Sequence, residues 1–398
     1  MSAVDEADLD RRVLHADSLL DLTAALVEVP SVSRDEKRIA DLVERRLRAR
    51  APRLELHRVG DSVVARTRSA PAPGAERPPR LAFAGHLDTV PPAGPRTAAG
   101  DGRRVRGTGA VDMKGGVAVM LLLAEQAADA PVDATFVFFD KEEIGSRISG
   151  MHALFADHPE LIACDFAVLL EPTGGAIEAG CQGNFVVELE FTGARAHTAR
   201  PWRGSNAVHR AAAAMARIAA HTPETVEIDG LGYRQSLSIV AVAGGVQGNV
   251  VPDRCTVKVN YRHAPTIDAA AALALVLGLA PEAAGAEVLL SSPPAPPRLE
   301  HPLVRRLARL SGAPVRPKLG WTDVGRFTAA AVPAVNFGPG DSELAHSPHE
   351  VVDEDELTAC HRALLAFLHA PAEAAELAQA AGSAGRVEAA TPAGLAEP

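Results

Sequence analysis

Three short apolar runs in the first half of the chain each end on a residue that is costly to bury. LAFAG (81–85) leads into His86, TFVFF (135–139) into Asp140, and FAVLL (166–170) into Glu171. A run of about five residues, apolar at nearly every position, is the pattern of a strand covered on both faces. A helical stretch, Met113–Ala127, lies between the first two runs. Such strands alternating with helices point to a largely parallel α/β sheet. In an open parallel sheet, ligands bind outside the carboxyl ends of the strands. The sequence therefore gathers a histidine and several acids at one edge of one sheet.

The surrounding chain fits this frame. Leu19, Leu20, Leu22, Leu26 and Val29 recur at helical spacing and stop before Pro30, and residues 35–50 predict a second amphipathic helix. The Pro-rich stretch 70–79 reads as a loop. Beyond Glu171 the pattern changes: FVVELEF (185–191) alternates, and 203–220 is an Ala-rich helix. Strands LSIVAVAGG (237–245) and CTVKVNYR (255–262), a helix over 266–280 and strand AEVLL (286–290) follow. This β-α-β-β-α-β order is a ferredoxin-like unit, leaving through the linker SSPPAPP (291–297). The α/β pattern resumes with helix 302–311, strand AVNF (334–337) and helix 353–369. The expected organisation is an α/β catalytic domain over 1–181, an inserted domain over 182–295, a second catalytic part over 296–370, and a disordered tail over 371–398.

Composition excludes several classes. Forty Lys+Arg against 50 Asp+Glu give a net charge of −10, with no basic patch for nucleic acid. The longest apolar run, Ala269–Ala280, is shorter than the roughly 20 residues of a membrane span. The acidic N-terminus lacks the apolar segment of a signal peptide. The four cysteines are far apart, so neither a thiolate zinc motif nor a disulfide framework is readable. A soluble cytoplasmic protein with reduced thiols is the expectation.

The chemistry lies in GHLDTV (His86, Asp88), the Gly-rich turn GTGAVDMKGG (Asp112), Glu142 and Glu143 after TFVFFD, and Glu171. Singly, each reads as a turn residue or helix cap, and Glu142–Glu143 as a solvated pair. Together at successive strand ends, unpaired carboxylates would raise one another's pKa. A cation resolves that conflict, and histidine with carboxylates suits zinc. The Gly-rich turn contains neither GxGxxG nor GK[ST], which argues against a nucleotide loop. His57, His152, His158 and His301 lack such context and are expected at the surface. His346 and His349 are too close together for spacing to choose between them.

The motifs GHLDTV, GTGAVDMKGG, DKEEI (140–144), EPT (171–173) and the histidine of ELAHSPHE (343–350) resemble the dinuclear zinc aminoacylase/carboxypeptidase family over roughly residues 15–370. The resemblance implies a zinc-peptidase-like α/β domain with an inserted ferredoxin-like lid and dimerisation domain, and two Zn2+ ions, with Co2+ as a possible substitute. His86 and Glu171 would complete one metal site, Glu143 and His346 the other, with Asp112 bridging. Asp88 would fix the His86 tautomer. Glu142 would be the general base, taking a proton from water acidified by the metals and passing it to the leaving amine. His197, in GARAHTARP, matches an oxyanion histidine that reaches the neighbouring subunit of a homodimer. Asn249 (GGVQGNVVP) would bind substrate or oxyanion across that dimer, Arg262 (NYRHAP) a substrate carboxylate, and Thr322 (GWTD) would donate a hydroxyl.

The finer motifs GWTDVGRF (320–327), NFGPGDSELAH (336–346) and EAGCQGN (178–184) look most like actinobacterial-type succinyl-diaminopimelate desuccinylases. The implied substrate is a small anionic N-acyl amino acid, N-succinyl-LL-2,6-diaminopimelate, cleaved to succinate and LL-2,6-diaminopimelate. Proteobacterial members have a paired arginine where Gly180-Cys181-Gln182-Gly183 stands here. Acetylornithine deacetylase, or another N-acyl-amino-acid amidohydrolase or dipeptidase, is therefore the alternative. A non-catalytic metal-binding scaffold would be expected to lack the base or a ligand, yet Glu142, Asp88 and every ligand position are present.

Overall fold

The computed structural model describes residues 6–68, 78–93 and 102–370. Most of the 70–79 loop and the whole 371–398 tail lie outside the described residues. The chain divides into two compact units: Met1–Ala179 with Arg298–Arg316 and Ala330–Pro398, and Gly180–Pro297 with Pro317–Ala329. The segment Pro317–Ala329, which the sequence assigns to the returning catalytic part, groups with the inserted unit. There the Trp321 indole donates to the Pro293 carbonyl at 2.9 Å. A Cβ at residue 325 would sit 2.2 Å from that same oxygen, so only Gly325 permits the approach.

In the first unit an eight-stranded sheet runs Glu55–Val59, Ser62–Arg66, Asp133–Phe139, Arg80–His86, Phe166–Leu169, Ala334–Asn336, Ile177–Ala179, Val315–Pro317. Its four central strands, Asp133–Phe139 through Ala334–Asn336, are parallel. Ser62–Arg66 and Ile177–Ala179 join them antiparallel, which the sequence reading did not foresee. Strands Arg80–His86, Asp133–Phe139 and Phe166–Leu169 are buried at every position, as their unbroken apolar runs require. Phe83 and Phe136 stack at 5.3 Å.

Helix Gly115–Glu125, apolar all round and almost wholly buried, packs on strand Arg80–His86 and on helices Leu19–Glu28, Lys37–Arg50 and Glu354–His369. The last begins with a capping box between Asp353 and Glu356. An unpredicted helix, Glu6–His15, buries only Leu9 and Val13. It is tied down by the buried Arg46, which donates to the Val13 and Ala16 carbonyls and pairs with Glu125. One expectation is overturned: His301 is buried rather than exposed, its ring stacked on Phe166 at 5.8 Å.

The second unit is built on an antiparallel sheet ordered Ser236–Gly244, Arg254–His263, Gly183–Thr192, Gly285–Ser292. Burial alternates along Gly183–Thr192. Phe185, Val187, Leu189 and Phe191 pack with Ala211, Ala214 and Ile218 of helix Ala207–Ala220 and Val276 of helix Ala269–Leu279. The chain order is the expected β-α-β-β-α-β. A hairpin, Thr225–Ile228 with Leu231–Arg234, interrupts it. Among the described residues no helix is long and apolar enough to cross a membrane.

Candidate metal centre and recognition residues

The parallel register places the acids. His86 pairs with Phe139, and Ala84 with Leu169. His86 and Glu171, each two residues beyond that second pair, thus end adjacent strands. Glu171 is buried, and Gly338 crosses close over it: a Cβ there would lie 2.3 Å from the Glu171 carbonyl oxygen. Thr173 Oγ1 locks this crossing by donating to the Gly338 carbonyl and accepting its N–H. Asp112 comes from the turn before helix Gly115–Glu125, and His346 from a loop, with φ 59°.

His86 and His346 meet at Asp112, whose two oxygens face different histidines, and the Glu171 side chain takes no part in these two contacts. Oδ1 lies 3.0 Å from His86 Nε2, and Oδ2 lies 3.2 Å from His346 Nε2. His346 Nε2 is also 3.1 Å from Glu143 Oε1. His86, Asp112 and Glu143 offer ligand atoms within 4.8 Å of one another. His349 makes no such contact among the described residues, so the geometry selects His346.

The histidines and carboxylates shift one another's titration. Burial opposes charge on His86, yet Asp112 and Asp88 raise its pKa well above the ordinary imidazole value. The Asp112 hydrogen bond, against partial burial and helped by Glu143, raises His346 to about 9. Burial works against ionised Asp112, but hydrogen bonds from His346 and His86 hold it well below the usual carboxylate range. Desolvation raises Glu143, partly countered by His86. Two imidazoles with two carboxylates form a donor set that fits a hard-to-borderline divalent cation.

Asp88 is fully buried and does more than was expected. His86 Nδ1 meets the Asp88 backbone carbonyl at 3.0 Å, and the nearer carboxylate oxygen only at 3.5 Å. The carboxylate instead accepts the Ser33 hydroxyl at 2.7 Å and the amides of Glu142 and Glu143 at 3.0 and 3.1 Å. It therefore holds the Glu142–Glu143 loop while its carbonyl orients the imidazole. Glu142 itself is half-buried.

Two further carboxylates escaped the sequence reading. Glu350 is buried and accepts the amides of Gly109 and Val111, bracing the Asp112 turn. Its place in ELAHSPHE, four residues past His346, was the available signal. Glu36 likewise accepts backbone amides, one of them from Lys141.

The remaining candidates lie in the second unit. His197 is exposed, and its Nδ1 accepts the Ala199 amide at 3.0 Å. In the neutral ring the proton then sits on Nε2, a donor. The Thr198 amide donates to the Asn249 carbonyl and His197 bridges Val250, so the two loops are tied together. Arg262 is half-buried at the end of its strand, its pKa lowered by that burial. No ion pair reaches it among the described residues. Thr322 is buried, its carbonyl accepting from Gly325.

Comparison with known proteins defines the class. The model of peptidase family M20/M25/M40 matches residues 82–370, and the chain belongs to that family of metal-dependent hydrolases. Among its relatives is a Mycobacterium tuberculosis protein, provisionally named succinyl-diaminopimelate desuccinylase DapE. It is 45% identical over 353 residues, covering 88% of this chain and 97% of the relative. The succinyl-diaminopimelate desuccinylase of Corynebacterium glutamicum is 39% identical over 347 residues, covering 85% and 92%. A Staphylococcus aureus tripeptidase shares the fold at TM-score 0.69 and 20% identity, over 90% of this chain and 97% of that one. So does a Bacillus subtilis dinuclear metal-binding peptidase, at TM-score 0.61 and 18% identity, over 92% and 98%.

Proposed function

We propose that the chain hydrolyses N-succinyl-LL-2,6-diaminopimelate to succinate and LL-2,6-diaminopimelate, a step of lysine and cell-wall precursor synthesis in the cytoplasm. The observation that carries the chemistry is Asp112, with one oxygen toward His86 and the other toward His346. His86 and Glu171 would hold one zinc ion, Glu143 and His346 a second, and Asp112 both. A bound metal pair supplies Lewis acidity, which polarises an amide carbonyl and makes water easier to deprotonate.

The chain's own groups do the rest. Glu142, its amide held by Asp88, takes the proton of the attacking water. As the C–N bond breaks it returns that proton to the leaving nitrogen, giving a carboxylate and a free amine. His197 Nε2–H and the Asn249 side chain would donate to the carbonyl oxygen as it becomes negative, acting in a homodimer at the site of the second copy. Arg262 would take a substrate carboxylate through its planar fork. Thr322 would add a hydroxyl donor. The kinship to desuccinylases along nearly their whole length supports the choice of acyl group.

Chelator-stripped and zinc-reconstituted enzyme should be assayed on N-succinyl-LL-2,6-diaminopimelate, N-acetylornithine and dipeptides. Rapid zinc-dependent cleavage of the first is expected. Rapid cleavage of N-acetylornithine with none of the succinyl compound would overturn the proposal.

A further inference from the structure

We propose that Glu36 is a positioning residue for Glu142: its buried carboxylate grips the Lys141 amide and so fixes the loop that presents the base. This rests on the reading of Glu142 as base. Glu36 stands at the start of helix Lys37–Arg50 but makes no side-chain cap bond there. It is fully buried, and its Oε1 accepts the Arg34 amide at 2.8 Å and the Lys141 amide, 105 positions away, at 3.1 Å. Oε2 is buried without a partner. Desolvation pushes this carboxyl above the ordinary range, against the pull of the Arg34 amide. A fully buried carboxylate with one unpaired oxygen is a costly way to begin a helix. A serine or aspartate cap would serve that purpose with less burial.

The recipient explains the choice. Lys141 has φ 59°, a left-handed conformation that a side-chain-bearing residue keeps only where its surroundings over-determine it. Three successive amides, of Lys141, Glu142 and Glu143, are held by carboxylates from elsewhere in the chain: Glu36 takes the first, and Asp88 the other two. The same short segment reaches Asp88 directly through the Ser33 hydroxyl, and exchanges backbone bonds with Thr89 through Ser31 and Ser33. Residues 31–36 thus form a brace across both loops, and Glu36 is its only link to the Lys141 amide among the described residues.

The test uses the full zinc-loaded chain with Glu36→Ala, Glu36→Asp, Glu36→Gln and, as a control in the same helix, Ile39→Ala. Steady-state kinetics are combined with hydrogen exchange of the 140–144 segment and with metal content. Glu36→Ala should lower kcat about 10- to 100-fold, the range a misplaced catalytic group produces, with KM changed less than about threefold. The Lys141 amide should lose protection while metal content holds. Glu36→Asp, which withdraws the acceptor by one methylene, should move both readouts the same way and bears the test if the alanine variant does not fold. Glu36→Gln keeps a carbonyl acceptor and should restore both. Ile39→Ala should lower the melting temperature without changing kcat.

Unchanged Lys141 exchange in Glu36→Ala or Glu36→Asp, or a fall in kcat no larger than that of Ile39→Ala, would overturn the proposal. So would a glutamine variant as impaired as the alanine one. If the wild-type enzyme does not cleave the substrate, the functional reading fails, while the exchange measurement still decides whether Glu36 holds the loop.

Discussion

The candidate residues of the two units differ in how firmly they are held, with His346 exposed in the first and Thr322 buried in the second as exceptions. In the first, His86 is 1% exposed and Asp88 fully buried, and Asp112 meets two histidines. Buried carboxylates also hold the backbone amides on either side of the cluster. In the second, His197 and Asn249 are exposed, and Arg262 has no ion pair among the described residues. Groups that must hold a cation need their geometry fixed beforehand, because like charges cannot be gathered cheaply when the ligand arrives. The proposed recognition groups His197, Asn249 and Arg262 keep donors open, whereas Thr322 is buried. On the proposed reading, the contrast separates a site that gathers charge from one that reads it.

Mutations should divide along the same line. The largest effect is expected from Glu142→Ala, with kcat falling about 10²- to 10⁴-fold and metal content unchanged by elemental analysis. A variant with near wild-type turnover would remove Glu142 as the base. Arg262→Ala should act on recognition instead. Loss of a charge-assisted, forked contact of about 1.5–3 kcal/mol raises KM roughly 10- to 150-fold, with kcat and metal content little altered. A fall in kcat at constant KM would place Arg262 in the chemical step and blur the contrast.

The smallest effect concerns packing at the start of strand Phe166–Leu169, the end away from Glu171. Burial holds the His301 imidazole below its ordinary value of 6.5. The unfolded chain therefore binds a proton that the folded one refuses, and this contribution to stability, complete above about pH 6.5, is lost as pH falls toward the folded value. Each unit of difference is worth about 1.4 kcal/mol. His301→Phe, which keeps the stack on Phe166, should lower the melting temperature less than the wild type suffers between pH 7 and 5. Parallel melting curves at both pH values would show that His301 does not titrate across unfolding.

The sequence disclosed whatever periodicity encodes. Runs such as LAFAG-His86 and FAVLL-Glu171 revealed buried strands, and with them the edge where the acids meet. Alternation in Gly183–Thr192 revealed a sheet covered on one face. Helix Glu6–His15 was hidden because only Leu9 and Val13 face inward. The hairpin Thr225–Arg234 is marked not by periodicity but by Asp229–Gly230, both at positive φ, which is a turn signal. The link from Glu36 to Lys141 is illegible for a different reason: the partner is a backbone amide brought from a distant segment, and an amide has no letter in the sequence, whereas Glu350 is marked only by its place beside His346. His301 shows the same limit, since nothing local indicates that Phe166 will cover it.

In the proposed function the first unit holds two metal ions through one shared carboxylate, Asp112. The most direct test is the zinc stoichiometry of the chelator-stripped chain, titrated and then analysed for bound metal, alongside Asp112→Ala. Two ions per wild-type chain and no more than one in the variant are expected. A single ion in the wild type, or two retained without Asp112, would contradict the account.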